Sequence, residues 1–311
     1  MSDTALTPRQ ETGLTLFLSL VTGKLKPGKL WYEREYRIKY LMRSLLCPVQ
    51  TMKLAESITA EPVMREILSV QHTLPSKIHR PYLYGSLPVA QRVKAITDHY
   101  QFAKNLPFPR FRQALLTQQG AVLLSFSGKH GEPFSITLAC TGRCEREGEV
   151  NIYFSWGETK LAIVTFSITE QNGNLVAIIG GIQGAHRDTP HELIRDATKA
   201  CYGLFPKRLL METLALFCTA TGVKQILAVS DSGHIFRSLR YRYKKQRLFH
   251  AHYNEFWETL NATPLSDKLY NVPLSLERKP LEEIASKKRS EYRKRYELLD
   301  SLQHQFAQHS V

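Results

Sequence analysis

The chain has 311 residues, 43% hydrophobic and 23% charged, and its 42 Lys+Arg against 28 Asp+Glu give a net charge of +14. This is globular composition rather than disorder, in a length that suits one large domain or two smaller ones. The positive excess favours an anionic partner: a phosphorylated cofactor, an acidic lipid headgroup or RNA.

No run approaches the roughly eighteen apolar residues of a membrane span. Residues 14–21 are too short, and residues 161–182 are broken by Glu170-Gln171-Asn172-Gly173-Asn174. Asp3, Arg9 and Glu11 deny residues 14–21 the positive leader of a signal peptide. Cys47, Cys140, Cys144, Cys201 and Cys218 are odd in number and follow no framework, which implies reduced thiols. A cytoplasmic location is therefore expected, with the periplasm as the alternative. Cys140 and Cys144 have no second Cys/His pair at zinc spacing, so no metal site is expected.

Up to about Gln118 the chain reads as helices separated by prolines, with 17 basic and 8 acidic residues. A basic loop, Gly23-Lys24-Leu25-Lys26-Pro27-Gly28-Lys29, ends on Trp31, and helices follow over 33–46, 52–58, 63–70, 89–102 and 110–116. From Gly120 the period changes. Strands are expected over 121–127, 134–140, 150–156, 161–168 and 175–182 as an antiparallel meander, with Asn172-Gly173 as the clearest hairpin turn. Thr189-Pro190-His191-Glu192 reads as a capping box opening a helix that ends at Gly203. A second helix runs from Pro206 toward Gly222, a buried strand spans 223–229, and a charged helix occupies 281–305. In both middle helices the thiols, Cys201 and Cys218, fall on the apolar face and should be buried. The fold class is α+β: a helical N-terminal region, then a mostly antiparallel sheet with crossover helices. The division expected is a basic helical region 1–118, an α/β core 119–275 and a charged helix 276–311.

No nucleophile elbow, Walker loop, His-Glu-x-x-His helix or dinucleotide glycine pattern occurs. Gly180-Gly181-Ile182-Gln183-Gly184 lacks the Lys-Ser/Thr of a phosphate loop and reads as strand glycines permitting close packing. Glu145, Glu147 and Glu149 in a Gly-bounded turn read as a solvated loop, and His186 and His191 as surface histidines. Between Asp231 and Glu255 there is no acid. If this stretch is a strand, Arg240, Arg242 and Lys244 share one face as a candidate anion contact, with Tyr241 and Tyr243 on the other. An exposed edge strand protected by cations is the plainer reading.

The phrases Leu25-Lys26-Pro27-Gly28-Lys29-Leu30-Trp31, Gly203-Leu204-Phe205-Pro206-Lys207, Tyr253-Asn254-Glu255-Phe256-Trp257-Glu258 and Ser286-Lys287-Lys288-Arg289-Ser290-Glu291-Tyr292-Arg293 resemble those of the VirK/YbjX family of Gram-negative bacteria. The resemblance implies a role in virulence, envelope adaptation and resistance to cationic antimicrobial peptides, without a catalytic motif. In architecture, the order of meander, loop, capped helix and strand is similar to the GCN5-related N-acyltransferases. That similarity implies acyl-CoA as cofactor, its pyrophosphate held by backbone amides at a helix start. The corresponding stretch would place Gln183, Gly184, Ala185, Arg187 and Thr189 at the cofactor, although His186 and Asp188 stand where that family has glycine-like positions. It also predicts that strands 175–182 and 223–229 lie side by side and parallel, splayed at one end. The competing function is a non-enzymatic regulator that binds RNA or a partner protein.

Overall fold

The computed structural model describes residues 11–237 and 252–309. Helix α1 (Gly13–Thr22) opens with the Thr12 side chain accepting from the Thr15 amide and closes on Gly23 in the left-handed region. Then come α2 (Arg34–Leu46), α3 (Pro48–Ala60), α4 (Pro62–Glu66), α5 (Val89–Asn105) and α6 (Pro109–Leu116). The prolines that separate these helices mostly start them: Pro48, Pro62 and Pro109 each occupy a first helical position, where a missing amide costs nothing.

Strands β1 (Ala121–Ser127), β2 (Pro133–Ala139), β3 (Val150–Trp156), β4 (Thr159–Gln171) and β5 (Asn174–Gly184) form the expected antiparallel meander. The β4–β5 turn places both Asn172 and Gly173 at positive φ, as a two-residue hairpin loop requires. Two helices, α7 (His191–Ala200) and α8 (Pro206–Ala220), cross to β6 (Gln225–Val229). After α9 (Tyr253–Glu258) come two short strands, β7 (Thr263–Pro264) and β8 (Leu269–Val272), and α10 (Ser286–His309) closes the chain. The sheet order is β1-β2-β3-β4-β5-β6-β8-β7, and among the described residues only the β5–β6 pair is parallel. The fold is α+β.

Both faces of the sheet are covered. Val176, Ile178 and Leu227 share one core with buried side chains of α1, α2, α3 and α5, whereas Ala177, Ile179, Ile226 and Ala228 share the other with α6, α8 and α10. Neighbouring residues of a strand point to opposite faces, so β5 and β6 are continuous apolar runs because neither face meets water. Cys201 and Cys218 are fully buried on the second of these layers.

The capping box at Thr189 does not form. Helix α7 begins one residue late, with Pro190 in an extended conformation as its cap and no side-chain cap bond. The Thr189 amide instead donates to the His186 carbonyl at 2.8 Å, closing a tight turn before the helix. Without Thr189 in the cap position, the reciprocal bonds of the box cannot be made.

Candidate functional site

The β5–β6 ladder runs from Val176↔Gln225 to Ile179↔Ala228 and stops, while β5 continues to Gly184 along β4. Here β4 pairs Thr165 with Gly181 and Phe166 with Ile179, so Gly180 is the extra residue of a bulge. A Cβ on Gly180 would strike the Glu147 backbone, and one on Gly181 the Glu147 carboxylate. The two glycines therefore let the loop between β2 and β3 lie against β5, which is the close approach that the sequence suggests.

That contact buries a polar cluster beside the open end of the parallel pair. Glu147 is 2% exposed, and its carboxylate accepts from Gln183 Nε2 at 2.8 Å. His234 Nε2, 1% exposed and in the turn after β6, lies 3.3 Å from the other Glu147 oxygen. The Tyr253 ring, at the start of α9, is 5.4 Å from the His234 ring. Burial, and then the Glu147 charge, push the Tyr253 hydroxyl well above its ordinary pKa, so it stays a proton donor. The same two causes raise the Cys144 thiol to about 11, and it donates to Gln183 Oε1 at 3.5 Å. A carboxylate on an imidazole nitrogen, with a neutral phenol close by, is a geometry for moving a proton.

On the opposite side of β5 lies a cavity of about 750 Å³ among α7, α8, α9 and α10. Leu161, Leu204 and Phe256 contribute apolar wall, and Lys207, Arg278 and Arg295 contribute cations. Lys207 stands at the N-terminal end of α8, where burial lowers its pKa, and lies 5.8 Å from the Phe256 ring. Arg295 is oriented by donating from Nε to the Tyr202 carbonyl at 2.8 Å.

Of the five residues singled out for the cofactor, Gly184 and Ala185 line this cavity. Gln183, their neighbour, points the other way and holds Glu147. Arg187 is exposed beside Asp188 at 3.7 Å, and Thr189 belongs to the turn before α7; neither lines the cavity. Arg240, Arg242 and Lys244 lie outside the described residues.

The acidic turn is where the structure most corrects the sequence reading. Only Glu145 reaches solvent, and it accepts from the Thr73 hydroxyl. Glu149 is fully enclosed between the helical layer and the sheet. It accepts from Lys77 Nζ at 2.7 and 2.9 Å, from Tyr82 at 2.7 Å and from Tyr100 at 2.6 Å. Burial alone would raise the Glu149 carboxyl, but the Lys77 charge and these bonds outweigh it and hold the pKa below the ordinary value. The sequence reads as a solvated loop because nothing near Glu149 signals a partner 72 residues away.

His99 shares this interior. Burial depresses its pKa to about 4, against an upward pull from Glu149, and its Nδ1 accepts from the Ile168 amide at 3.2 Å. A proton on Nδ1 would remove that acceptor and add a charge. A histidine with a folded pKa below its unfolded value of 6.5 contributes stability that is complete above pH 6.5 and lost as pH falls through about 4. The expected loss on going from pH 7 to pH 4 is at most roughly 3 kcal/mol, at 1.36 kcal/mol per unit. Urea unfolding across that range should show it, and His99→Gln, which keeps an acceptor but cannot titrate, should flatten it. An equally steep slope in the variant would assign the acid sensitivity elsewhere.

Comparison with known proteins gives the chain its relatives. The family described as "Protein of unknown function (DUF535)" matches residues 29–308. "Uncharacterized protein YbjX" of Escherichia coli (strain K12) is 40% identical over 309 residues, covering 99% of this chain and 93% of that protein. An "Uncharacterized protein" of Haemophilus influenzae is 27% identical, covering 86% of this chain and 87% of its own. "Membrane protein LapB" of Mannheimia haemolytica is 23% identical, covering 62% of this chain and 82% of its own. No solved structure matches. Among the described residues, no helix is long and apolar enough to cross a membrane. With a family match across most of its length and YbjX aligned end to end, the chain belongs to the DUF535 family, the VirK/YbjX group that its sequence phrases resemble.

Proposed function

We propose that this chain is an acyltransferase-like enzyme that takes an acyl-CoA in the cavity at the end of β5 and passes the acyl group to an acceptor beside Glu147. One observation carries the reading. The parallel pair β5–β6 parts where β5 has consecutive residues committed to the two sides, Gln183 to the Glu147–His234 pair and Gly184 to the cavity. The apolar wall suits an acyl or pantetheine chain, and Lys207 and Arg295 suit phosphate. In the transfer, an acceptor amine or hydroxyl loses its proton to Glu147, directly or through His234. Its nitrogen or oxygen attacks the thioester carbonyl, and the carbon–sulfur bond breaks as the CoA thiolate leaves. The thiolate takes that proton back from the Glu147–His234 pair, with the neutral Tyr253 phenol beside His234, so every residue ends as it began. Acylation of an envelope component would serve the envelope adaptation and antimicrobial-peptide resistance that the family resemblance implies. Arg240, Arg242 and Lys244 belong to the proposal as further anion contacts.

Gly184 provides the test. A Cβ there meets nothing within 4 Å, so Gly184→Leu should fold as the parent does while its side chain enters the cavity. Calorimetric titration with acetyl-CoA and palmitoyl-CoA should show binding to the parent, weakened about tenfold or more in Gly184→Leu, the equivalent of about 1.4 kcal/mol. Failure of the parent to bind either thioester removes the enzyme reading.

A further inference from the structure

Nine of the twelve large apolar side chains exposed among the described residues fall between Leu14 and Val49, which is too uneven to be chance scatter. Five of them make a stripe. Tyr36, Tyr40 and Ser44 are the buried face of α2, yet Ile38, Met42, Leu45 and Leu46 stand on its outer face, and Val49 continues them into α3. Spacings of three and four residues keep these side chains together on a helix surface. Leu46 is 85% exposed and Leu45 64%, values that a water-facing position does not call for. Positive charge flanks the stripe along the chain. Residues 24–53 contain eight cations, of which Lys24, Lys26, Lys29, Arg34, Lys39 and Lys53 are exposed, against two acids, Glu33 and Glu35.

We infer that this face docks the protein on an anionic phospholipid surface, with the α2 stripe entering the acyl boundary and the flanking lysines and arginines meeting the headgroups. The charge decides the occupant. A second copy would set the same cationic surface against itself, whereas an anionic bilayer accepts both the apolar stripe and the cations flanking it. The bulk of the chain stays outside the bilayer, because α2 has only thirteen residues and its opposite face is committed to the protein interior. This inference uses the outer face of the helical layer and does not depend on the acyl-CoA reading.

The experiment is co-sedimentation of the full chain with two sets of vesicles, phosphatidylcholine alone and a phosphatidylcholine–phosphatidylglycerol mixture. Binding should require phosphatidylglycerol and weaken as salt is raised. The variant Met42→Glu/Leu46→Glu should bind about tenfold or more weakly and melt at the parental temperature, since neither side chain is buried. Should the double variant fold poorly, Leu46→Gln alone and the triple change Lys24→Gln/Lys26→Gln/Lys29→Gln test the apolar and cationic parts separately. Absence of binding to the mixed vesicles, or undiminished binding by well-folded variants, overturns the inference. So does a concentration-dependent dimer that the double variant abolishes, because the face would then be a contact between copies.

Discussion

Replacing Lys77 by Met is expected to lower the unfolding free energy by about 3–5 kcal/mol, the cost of leaving one member of a buried ion pair without the other. Both side chains are at most 1% exposed, so the Glu149 charge would have only hydroxyl and amide dipoles to replace the ammonium. At neutral pH His99 is uncharged and cannot take over. The carboxyl of the variant should therefore take up a proton on folding, which makes its stability fall as pH rises, opposite to the parental trend. The exposed pair Lys39–Glu35 supplies the comparison: Lys39→Ala should cost no more than about 1 kcal/mol. The double change Lys77→Met/Glu149→Gln should recover part of the loss, since it removes the charge as well as its partner. Urea unfolding of the three variants measures all of this. A Lys77→Met protein as stable as Lys39→Ala would mean that the pair does not join the helical layer to the sheet.

The sequence made much of this fold legible because local patterns happen to coincide with tertiary demands. The change of period at Gly120, the Asn172-Gly173 turn and the Pro206 helix start each involve residues close in the chain. The adjacency of β5 and β6 was also reachable, since a helical crossover between two apolar strands favours a parallel pair. Strands β7 and β8 leave no mark in the sequence: two and four residues long, they hold no more pattern than a loop.

The candidate site was legible only in part. Gly184 and Ala185, named through the acyltransferase resemblance, line the cavity, but Gln183, Arg187 and Thr189 do not. Glu147, His234 and Tyr253 come from three separate stretches, and none has a neighbour that marks it as buried. One signal did exist. Gly180 and Gly181 interrupt an otherwise apolar strand, and such a pair asks what packs against it; the answer is the Glu147 loop. The exposed face of α2 is hidden in the sequence for a related reason. The pattern reads Tyr36, Tyr40, Leu41 and Leu45 as one face, yet Leu45 is exposed with Ile38, Met42 and Leu46, because apolar residues ring the helix.

Glu147→Gln is the change expected to separate chemistry from architecture. The amide keeps the shape of the side chain and leaves an oxygen to accept from Gln183, so folding and the seat against Gly181 should survive. What it lacks is the ability to take a proton, alone or through His234 at 3.3 Å. If Glu147 is the base, release of free CoA thiol from acyl-CoA in the presence of envelope extract should fall about 10²–10⁴-fold, with thioester affinity unchanged. The cavity lies on the far side of β5, and that separation is why binding and turnover should part. Glu147→Asp, which keeps the charge but draws it back by one methylene, should retain more turnover than the amide. A structural carboxylate would give the reverse order, because the longer amide preserves packing and the shorter acid does not. Equal turnover in parent and Glu147→Gln, or a common loss of turnover, affinity and melting temperature, would take the acid–base role away from this residue.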